Sequence, residues 1–251
     1  MKKEEIRMSV FVIWDWDATL ADTYPVINKA YAHTYKMLGM EKEVKSFDEI
    51  KRITSTLQNK DVLECVFGLE RKEDARKIFY EYIGKNHANT LEPIKGAYVA
   101  MEYLAKIGAE SMLLSNKTNT DKDGRGKYLE EELNKLEMLK YFSAVSGAGE
   151  KEEDKPSLAA IKGLIDKSSK KPTKNDLILV IGDGEADMKV AENLRAEGFK
   201  VRSVLLDPKN KYKGSIRPNY IVHELNTLPI ILQNETNGVA EIARRKQSLG
   251  R

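Results

Sequence analysis

The chain has little cysteine and histidine and no long apolar run. Its single cysteine, Cys65, excludes an internal disulfide framework and fits a reducing compartment, so we expect a cytoplasmic protein in which this thiol packs in the core. His33 and His87 stand alone, without further ligands at metal-binding spacing. The apolar run 9–14 is too short for a signal peptide or a membrane span, and no other uncharged stretch approaches membrane length. We therefore expect no membrane partner.

An excess of charge of one sign is also lacking. Lysine and arginine number 42 against 39 aspartate and glutamate residues, which leaves a net charge of only +3 spread along the chain. So weak a balance does not favour nucleic acid as a partner, whereas phosphorylated small molecules remain suitable ones. With 41% hydrophobic and 32% charged residues over 251 positions, the composition is that of a folded globular protein with one large domain or two smaller ones.

Apolar periodicity alternates between strand and helix along most of the chain. The continuous apolar run at 9–14 predicts a strand buried on both faces, as in a parallel sheet. Helical spacing dominates 24–92, which predicts a helical insertion after this first strand. Beyond it, strands alternate with helices, as in a doubly wound parallel α/β sheet. The further predicted strands are 110–114, 144–145, 176–181, 200–206 and 220–222.

Polar side chains follow the predicted strands at the edge where ligands collect. Asp15 and Asp17 come directly after the first strand, although this pair by itself also fits an ordinary Asx turn. The carboxyl ends of parallel strands converge on one crevice, and carboxylates gathered there repel one another unless a hard cation such as Mg²⁺ lies among them. A lysine and a serine hydroxyl nearby would complete a cradle for a phosphoryl group. The residues of this predicted site are Asp15, Asp17, Ser115, Asn116, Lys155, Asp183 and Asp187.

Three features leave alternatives open. Lys151 competes with Lys155 as the lysine of the site, and we favour Lys155 because Pro156 begins a helix immediately after it. The segment 118–126 is by default a solvated surface loop that could also contribute to substrate selection. The basic segment 236–251 fits a frayed, solvated terminus better than a contact with an anionic surface.

Four short motifs occur in a fixed order along the chain. They are Asp15-Trp16-Asp17-Ala18-Thr19-Leu20, a second motif that ends at Ser115, Lys155 followed by Pro156, and Gly182-Asp183-Gly184-Glu185-Ala186-Asp187. In this order they resemble the motifs of the haloacid dehalogenase-like hydrolase superfamily, and in particular its phosphoglycolate-phosphatase-like branch with a helical cap of the C1 type. The resemblance covers about residues 9–233. It implies a Rossmann-like core domain formed by 1–23 and 93–235, an all-α cap domain at 24–92, and a basic tail at 236–251.

The resemblance also implies roles for the two aspartates of the first motif. Asp15 would be the nucleophile that attacks phosphorus and forms an aspartyl-phosphate. Asp17 would protonate the leaving oxygen and then activate the water that hydrolyses this intermediate, with its backbone carbonyl facing the metal. Because a dehalogenase does not need a second acid two residues after the nucleophile, Asp17 favours phosphate chemistry over carbon–halogen cleavage.

The remaining motifs would supply phosphate and metal contacts. Ser115 and the backbone amide of Asn116 would bind phosphate oxygens, and Lys155 would hold the nucleophile and the phosphoryl group by charge. Asp183 would be the direct carboxylate ligand of Mg²⁺, and Asp187 a ligand, a water-mediated ligand or a partner of Lys155. We expect the metal to be Mg²⁺, in contact with residues Asp15, Asp17, Asp183 and Asp187.

One position departs from the family pattern, and three functions remain under consideration. Ala18 stands where glycine is commonest, which matters only if the backbone there needs a positive φ. The resemblance implies a Mg²⁺-dependent phosphatase that acts on a small phosphorylated metabolite such as phosphoglycolate. The alternatives are a phosphoglucomutase-like phosphotransferase and a non-catalytic phosphate-binding or regulatory module on the same scaffold. The sequence does not indicate an oligomeric state.

Overall fold

Six parallel strands form the sheet that positions the site. The structure is a computed structural model that describes residues 8–46, 48–50, 62–118, 127–148 and 154–235. In chain order the strands are β1 (Val10–Trp14), β2 (Ala21–Asp22), β3 (Glu92–Pro93), β4 (Glu110–Thr118), β5 (Ala144–Ala148), β6 (Leu177–Gly182), β7 (Lys200–Leu206) and β8 (Tyr220–Val222). The sheet has the order β5-β4-β1-β6-β7-β8, so β1 lies in the middle between β4 and β6.

Helices cover both faces of this sheet. Alternate side chains of β1 point to opposite faces: Val12 and Trp14 pack with the helices Ala97–Lys106 and Tyr128–Lys135, whereas Phe11 and Ile13 pack with the other layer. That second layer consists of the helices Leu158–Lys167 and Glu185–Ala196. A sheet buried on both faces explains why the β1 segment is continuously apolar. The predicted doubly wound α/β core is confirmed.

A helical segment is inserted between two short strands. Strands β2 and β3 pair antiparallel, with Asp22 opposite Glu92, and so close the base of the insertion. Between them lie the helices Tyr24–Met37, Val62–Phe67 and Lys72–Asn86, with residues 48–50 also helical. Their apolar faces form a cluster of their own. The domain boundaries at 23/24 and 92/93, and the type of cap, stay predictions.

The structure differs from the sequence predictions at several elements. β4 runs four residues beyond the predicted end at Leu114, because after a register shift Thr118 pairs with Ala148 of β5. Ser115 therefore lies within a strand and not on the turn that follows it. The short strands β2 and β3 have no apolar alternation from which they could be predicted. Cys65 is only partly buried, so its predicted core position is wrong.

Several predicted features lie outside the described residues. They are the tail 236–251, the loop residues 119–126, and Lys151. No helix in the described ranges has the length and apolar character that crossing a membrane requires.

Ala18 has a φ of +57°, in the left-handed region that favours glycine. Replacing Ala18 with Gly should therefore raise the free energy of unfolding by about 1 kcal/mol, because the methyl group no longer opposes this backbone conformation. Urea denaturation measures the change. The matched control is Ala105→Gly on the exposed side of a helix, which should lower the same free energy by about 1 kcal/mol. A loss of stability in both variants would contradict the prediction.

Candidate active site

The first motif forms a tight turn at the carboxyl end of β1. The backbone N–H of Asp15 donates to the carbonyl of Ile181 at 2.9 Å, which keeps the chain in register with β6 beyond the last strand residue. The turn closes where the N–H groups of Leu20 and Ala21 both donate to the carbonyl of Trp16, at 3.0 and 3.1 Å. The turn leaves Asp15 buried and Asp17 partly exposed, so the two carboxylates have different surroundings.

Lys155 lies between two of the carboxylates. Its Nζ donates to Asp15 Oδ1 and, at 2.8 Å, to Asp187 Oδ1. Asn116 holds the lysine backbone from β4: the Lys155 N–H donates to Asn116 Oδ1 at 3.0 Å, and Asn116 Nδ2 donates to the Lys155 carbonyl at 3.2 Å. Ser157 then caps the next helix by accepting a bond from the N–H of Ala159 at 3.1 Å. These contacts bring Lys155 into the site, as the sequence predicts.

The fourth motif supplies Asp183 and Asp187 beyond the end of β6. The Gly184 N–H donates to Asp187 Oδ2 at 3.1 Å, which fixes this carboxylate in the first turn of the helix Glu185–Ala196. A β-carbon at position 182 would lie 2.1 Å from Asp187 Cγ. Gly182 is therefore required because only a residue without a side chain allows Asp187 to approach the strand so closely.

Three carboxylates form a group that fits a divalent cation. Asp15, Asp183 and Asp187 each offer an oxygen atom, and these atoms lie within 4.8 Å of one another. At an effective dielectric constant of about 20, two carboxylates 4.8 Å apart repel by about 3 kcal/mol, and Lys155 is a single positive charge among three negative ones. Carboxylate oxygens are the ligands that Mg²⁺ prefers, so the residues present fit this ion. The Asp17 carboxylate is not a member of the group.

Burial and mutual repulsion shift the protonation of this cluster. Burial raises the pKa of Asp15 to about 7; Lys155 opposes the rise, and Asp187 and Asp17 add to it. Burial likewise raises the pKa of Asp187 against the effect of Lys155. Burial alone would lower the pKa of Lys155, but the charges of Asp15 and Asp187 outweigh it and hold this pKa above its usual range. Lys155 is therefore a permanent cation.

Two hydroxyl groups that the sequence predictions missed also bind the cluster. Thr19 Oγ1 donates to Asp15 Oδ2 at 3.1 Å, so both oxygens of Asp15 are engaged. Tyr24, the first residue of the inserted helices, donates its hydroxyl to Asp183 Oδ2 at 2.6 Å. Burial, followed by the charge of Asp183, raises the pKa of this phenol, so it stays protonated. Tyr24 thus links the insertion directly to a predicted metal ligand.

Asp17 has a lysine partner of its own. Lys117 Nζ donates to Asp17 Oδ1 at 3.0 Å and lies 3.1 Å from Glu132 Oε1. Burial alone would lower the pKa of Lys117, but the charges of Asp17 and Glu132 outweigh it and raise the pKa above its usual value. The only sequence signal for Lys117 is its place directly after Ser115 and Asn116.

Glu132 is a fully buried carboxylate at the centre of a second network. Its Oε2 accepts a bond from Trp16 Nε1 at 2.6 Å, and its Oε1 lies 3.2 Å from His87 Nδ1. His87 Nε2 lies 2.8 Å from Glu131. Trp16 thus packs in the core and also donates a hydrogen bond. Glu132 could have been found from the sequence, because it is a charge at helical spacing on the apolar face of its helix.

The predicted phosphate-binding residues lie beside the cluster at the end of β4. Ser115 is buried, and its Oγ accepts a bond from the Lys117 N–H at 3.0 Å. Asn116 is exposed, and its side chain holds Lys155. The structure therefore brings all seven predicted site residues to the same edge of the sheet. Four polar residues of the inserted segment that the sequence also offers as substrate contacts lie outside the described residues: Lys51, Arg52, Asn59 and Lys60.

Replacing Glu132 with Gln should lower the free energy of unfolding by about 3 kcal/mol, because the buried Lys117 loses one of its two carboxylate partners. Urea denaturation measures this loss. Glu131→Gln is the matched control: its side chain is 56% exposed and, among the described residues, pairs with His87 alone, so we expect a change of less than about 1 kcal/mol. If both variants lost the same free energy of unfolding, the buried Glu132 network would not contribute more to stability than the exposed Glu131.

Several solved structures have a similar fold. A predicted phosphoglycolate phosphatase from Haemophilus somnus is 18% identical, with a TM-score of 0.70 over 90% of this chain and 99% of that one. A hydrolase candidate of the haloacid dehalogenase type from Bacillus subtilis, bound to magnesium, is 14% identical, with a TM-score of 0.65 over 90% and 100% of the two chains. A β-phosphoglucomutase candidate from Thermotoga maritima is 17% identical, with a TM-score of 0.64 over 90% and 99%. At these identities the similarity shows the fold alone.

Sequence comparison identifies the family. No curated protein sequence matches the chain at a significant level. The family model of the haloacid dehalogenase-like hydrolases matches residues 12–201, which include the four motifs and most of the sheet. The resemblance that the motifs indicate is thereby confirmed, and the chain belongs to the haloacid dehalogenase-like hydrolase family.

Proposed function

We propose that this protein is a Mg²⁺-dependent phosphatase that hydrolyses a small phosphorylated metabolite through an aspartyl-phosphate intermediate. One observation carries the proposal: Asp15 is held by Lys155 and Thr19 beside the carboxylates of Asp183 and Asp187. A buried carboxylate with both oxygens oriented is arranged for nucleophilic attack. We also expect a cytoplasmic location, since the single cysteine fits a reducing compartment.

In the first step, Asp15 attacks phosphorus while the bond from phosphorus to the leaving oxygen breaks. Lys155 stabilises the negative charge that gathers on the transferring phosphoryl group, together with the Ser115 hydroxyl and the Asn116 backbone amide. A bound Mg²⁺ would be held by Asp15, Asp183 and Asp187, and would neutralise charge on the phosphoryl oxygens. Lys155 also counters the charge of Asp187, which lowers the electrostatic cost of bringing an anionic ester to this edge of the sheet.

Asp17 would move the protons of both steps. It lies two residues beyond the nucleophile and borders the cavity between the sheet and the inserted helices, where the leaving group would lie. In its acid form it donates a proton to the leaving oxygen, and as a carboxylate it then takes one from the water that attacks the aspartyl-phosphate. Lys117 donates to Asp17 Oδ1 at 3.0 Å and so orients this side chain. The products are the free alcohol and inorganic phosphate.

Phosphoglycolate is the first ester to test. The motif resemblance implies it, and the Haemophilus somnus protein with a similar fold is described as a predicted phosphoglycolate phosphatase. A phosphoglucomutase-like phosphotransferase is the second candidate, since the Thermotoga maritima protein has a similar fold. The two candidate functions differ in the acceptor of the phosphoryl group. A phosphatase transfers it from the aspartyl-phosphate to water and releases inorganic phosphate, whereas a phosphotransferase gives it to a sugar hydroxyl. Binding of phosphate analogues without turnover of any ester would support the non-catalytic alternative.

Replacing Asp15 with Asn should abolish the Mg²⁺-dependent release of phosphate from p-nitrophenyl phosphate, because the amide is not a nucleophile. A colorimetric phosphate assay with Mg²⁺ and with a chelator measures this loss. Retention of activity by Asp15→Asn, or full wild-type activity in the presence of the chelator, would refute the proposed mechanism.

The same variant has a pH-dependent effect on stability. Because the folded-state pKa of Asp15 lies at about 7, above its unfolded-state value, ionisation of Asp15 destabilises the metal-free fold as the pH rises. Asn cannot ionise, so the free energy of unfolding of Asp15→Asn relative to that of the wild type should be higher at about pH 8 than at about pH 5. Urea denaturation in chelator measures the difference between the two pH values, and an equal effect at both would contradict the raised pKa.

Replacing Asp17 with Asn should separate the two steps. The p-nitrophenolate leaving group needs no proton, so aspartyl-phosphate still forms, whereas its hydrolysis lacks a base. We expect a burst of nitrophenol equal to the number of active sites, followed by slow turnover, in rapid-mixing absorbance measurements. Linear turnover at the wild-type rate would show that Asp17 is not the base. Asp22→Asn, at the base of the inserted helices, is the control that should behave as wild type.

A further inference from the structure

A cavity of about 390 Å³ opens beside Asp17, between the inserted helices and the end of β4. Its polar end is formed by Asp17, Asn116 and Lys117, next to the groups that would bind the phosphoryl oxygens. Its remaining described walls come from the inserted helices and from Tyr128 of the core. An ester bound with its phosphoryl group at Asp15 would therefore extend its leaving group into this cavity.

The walls of the cavity are apolar and rich in aromatic rings. Ten of the thirteen described residues that line it are aliphatic or aromatic, so an occupant meets mainly carbon surface. The rings of Tyr31 and Phe79 lie 4.8 Å apart at their centroids, and Tyr80 meets Phe79 edge-on at 5.5 Å. The Tyr128 hydroxyl donates to the Tyr80 carbonyl at 3.3 Å, so a core side chain fixes this aromatic wall. Such surfaces favour a flat apolar ring.

The polar end of the cavity offers few favourable contacts to a carboxylate carried by the leaving group. Among the described lining residues Lys117 is the one cation, and its ammonium is already held between Asp17 at 3.0 Å and Glu132 at 3.1 Å. The Asn116 amide is engaged on both sides by the Lys155 backbone. Within the part of the cavity that the structure describes, a carboxylate-bearing leaving group such as glycolate would lose water without gaining an unengaged cation, and would add repulsion with Asp17.

We propose that the ester hydrolysed here carries an apolar, ring-bearing alcohol as its leaving group, in preference to a small carboxylate-bearing alcohol such as glycolate. This inference rests on the proposed phosphatase function and names its substrate class. In the reaction, water adds to phosphorus by way of the aspartyl-phosphate, the bond from phosphorus to the alcohol oxygen breaks, and this oxygen leaves with a proton from Asp17. The ring stays against the aromatic wall until the alcohol departs.

The test compares benzyl phosphate with 2-phosphoglycolate and glycerol 3-phosphate, three esters of unactivated alcohols. With the wild-type protein and Mg²⁺, we expect kcat/KM for benzyl phosphate to exceed the other two by about tenfold or more, mainly through KM. Equal or greater kcat/KM for 2-phosphoglycolate or glycerol 3-phosphate would overturn the inference and leave the phosphatase function intact. Failure to hydrolyse any of these esters or p-nitrophenyl phosphate would refute the phosphatase function.

A binding measurement tests the inference even without turnover. The analogues 2-phenylethylphosphonate and 3-phosphonopropionate replace the bridging oxygen of benzyl phosphate and 2-phosphoglycolate with a methylene group, so they cannot be hydrolysed. Calorimetric titration of the wild-type protein with Mg²⁺ should give a dissociation constant about tenfold lower for the phenyl compound. Equal affinity, or tighter binding of 3-phosphonopropionate, would overturn the inference.

A variant pair tests whether the cavity is responsible. Ile27 lines the cavity from the first inserted helix, whereas the next residue, Asn28, is exposed outside it. Ile27→Lys should lower kcat/KM for benzyl phosphate about tenfold and raise it for 2-phosphoglycolate, because the new cation interrupts the apolar wall and can pair with a carboxylate. Asn28→Lys adds the same charge and should change neither. If kcat/KM changed in the same way in both variants, the added positive charge alone would explain the effect. The inference that the cavity selects the leaving group would then be refuted.

Discussion

The ammonium group of Lys155 lies between the carboxylates of Asp15 and Asp187, and the arrangement of the site depends on this contact. The three groups come from separate stretches of the chain, and each side chain is buried where an unpaired charge would be costly. Asp15 follows β1 and Asp187 lies beyond the end of β6. These two strands are parallel neighbours, so their carboxyl ends lie at the same edge of the sheet and bring the two carboxylates close together. Lys155 offsets only part of the negative charge, which leaves a place suited to a divalent cation.

A second lysine separates the two aspartates of the first motif. Asp15 faces Lys155 inside the carboxylate cluster, whereas Asp17 faces Lys117 at the border of the cavity. Two carboxylates that stand two positions apart in the sequence thus have different burial and different partners. This difference supports distinct roles for them, one as nucleophile and one as acid and base.

The inserted helices are joined to the core at both of their ends. At the first, Tyr24 donates to Asp183, and at the last, His87 contacts the buried Glu132. Glu132 also binds Lys117, so His87 at the end of the insertion is three contacts away from Asp17. The cavity walls that the inserted helices contribute, from Tyr24 to Ile83, lie between these two junctions in the chain. The same segment of chain therefore lines the cavity and contacts residues of the candidate site.

Local patterns in the sequence predicted the alternation of strands and helices in the core and the seven residues of the candidate site, which the structure brings to one edge of the sheet. The unbroken apolar run of β1 predicts a strand buried on both faces, and the motifs follow their strands closely enough to place their side chains at one edge. Only the tertiary structure decided which charge pairs with which. Lys117 donates to Asp17, and Trp16 donates to Glu132, and the partners of each pair are about a hundred positions apart in the sequence. A local apolar periodicity does not predict such contacts. The extension of β4 through Thr118 was likewise set by the neighbouring strand β5, because the length of a strand depends on hydrogen-bond partners that are remote in the chain.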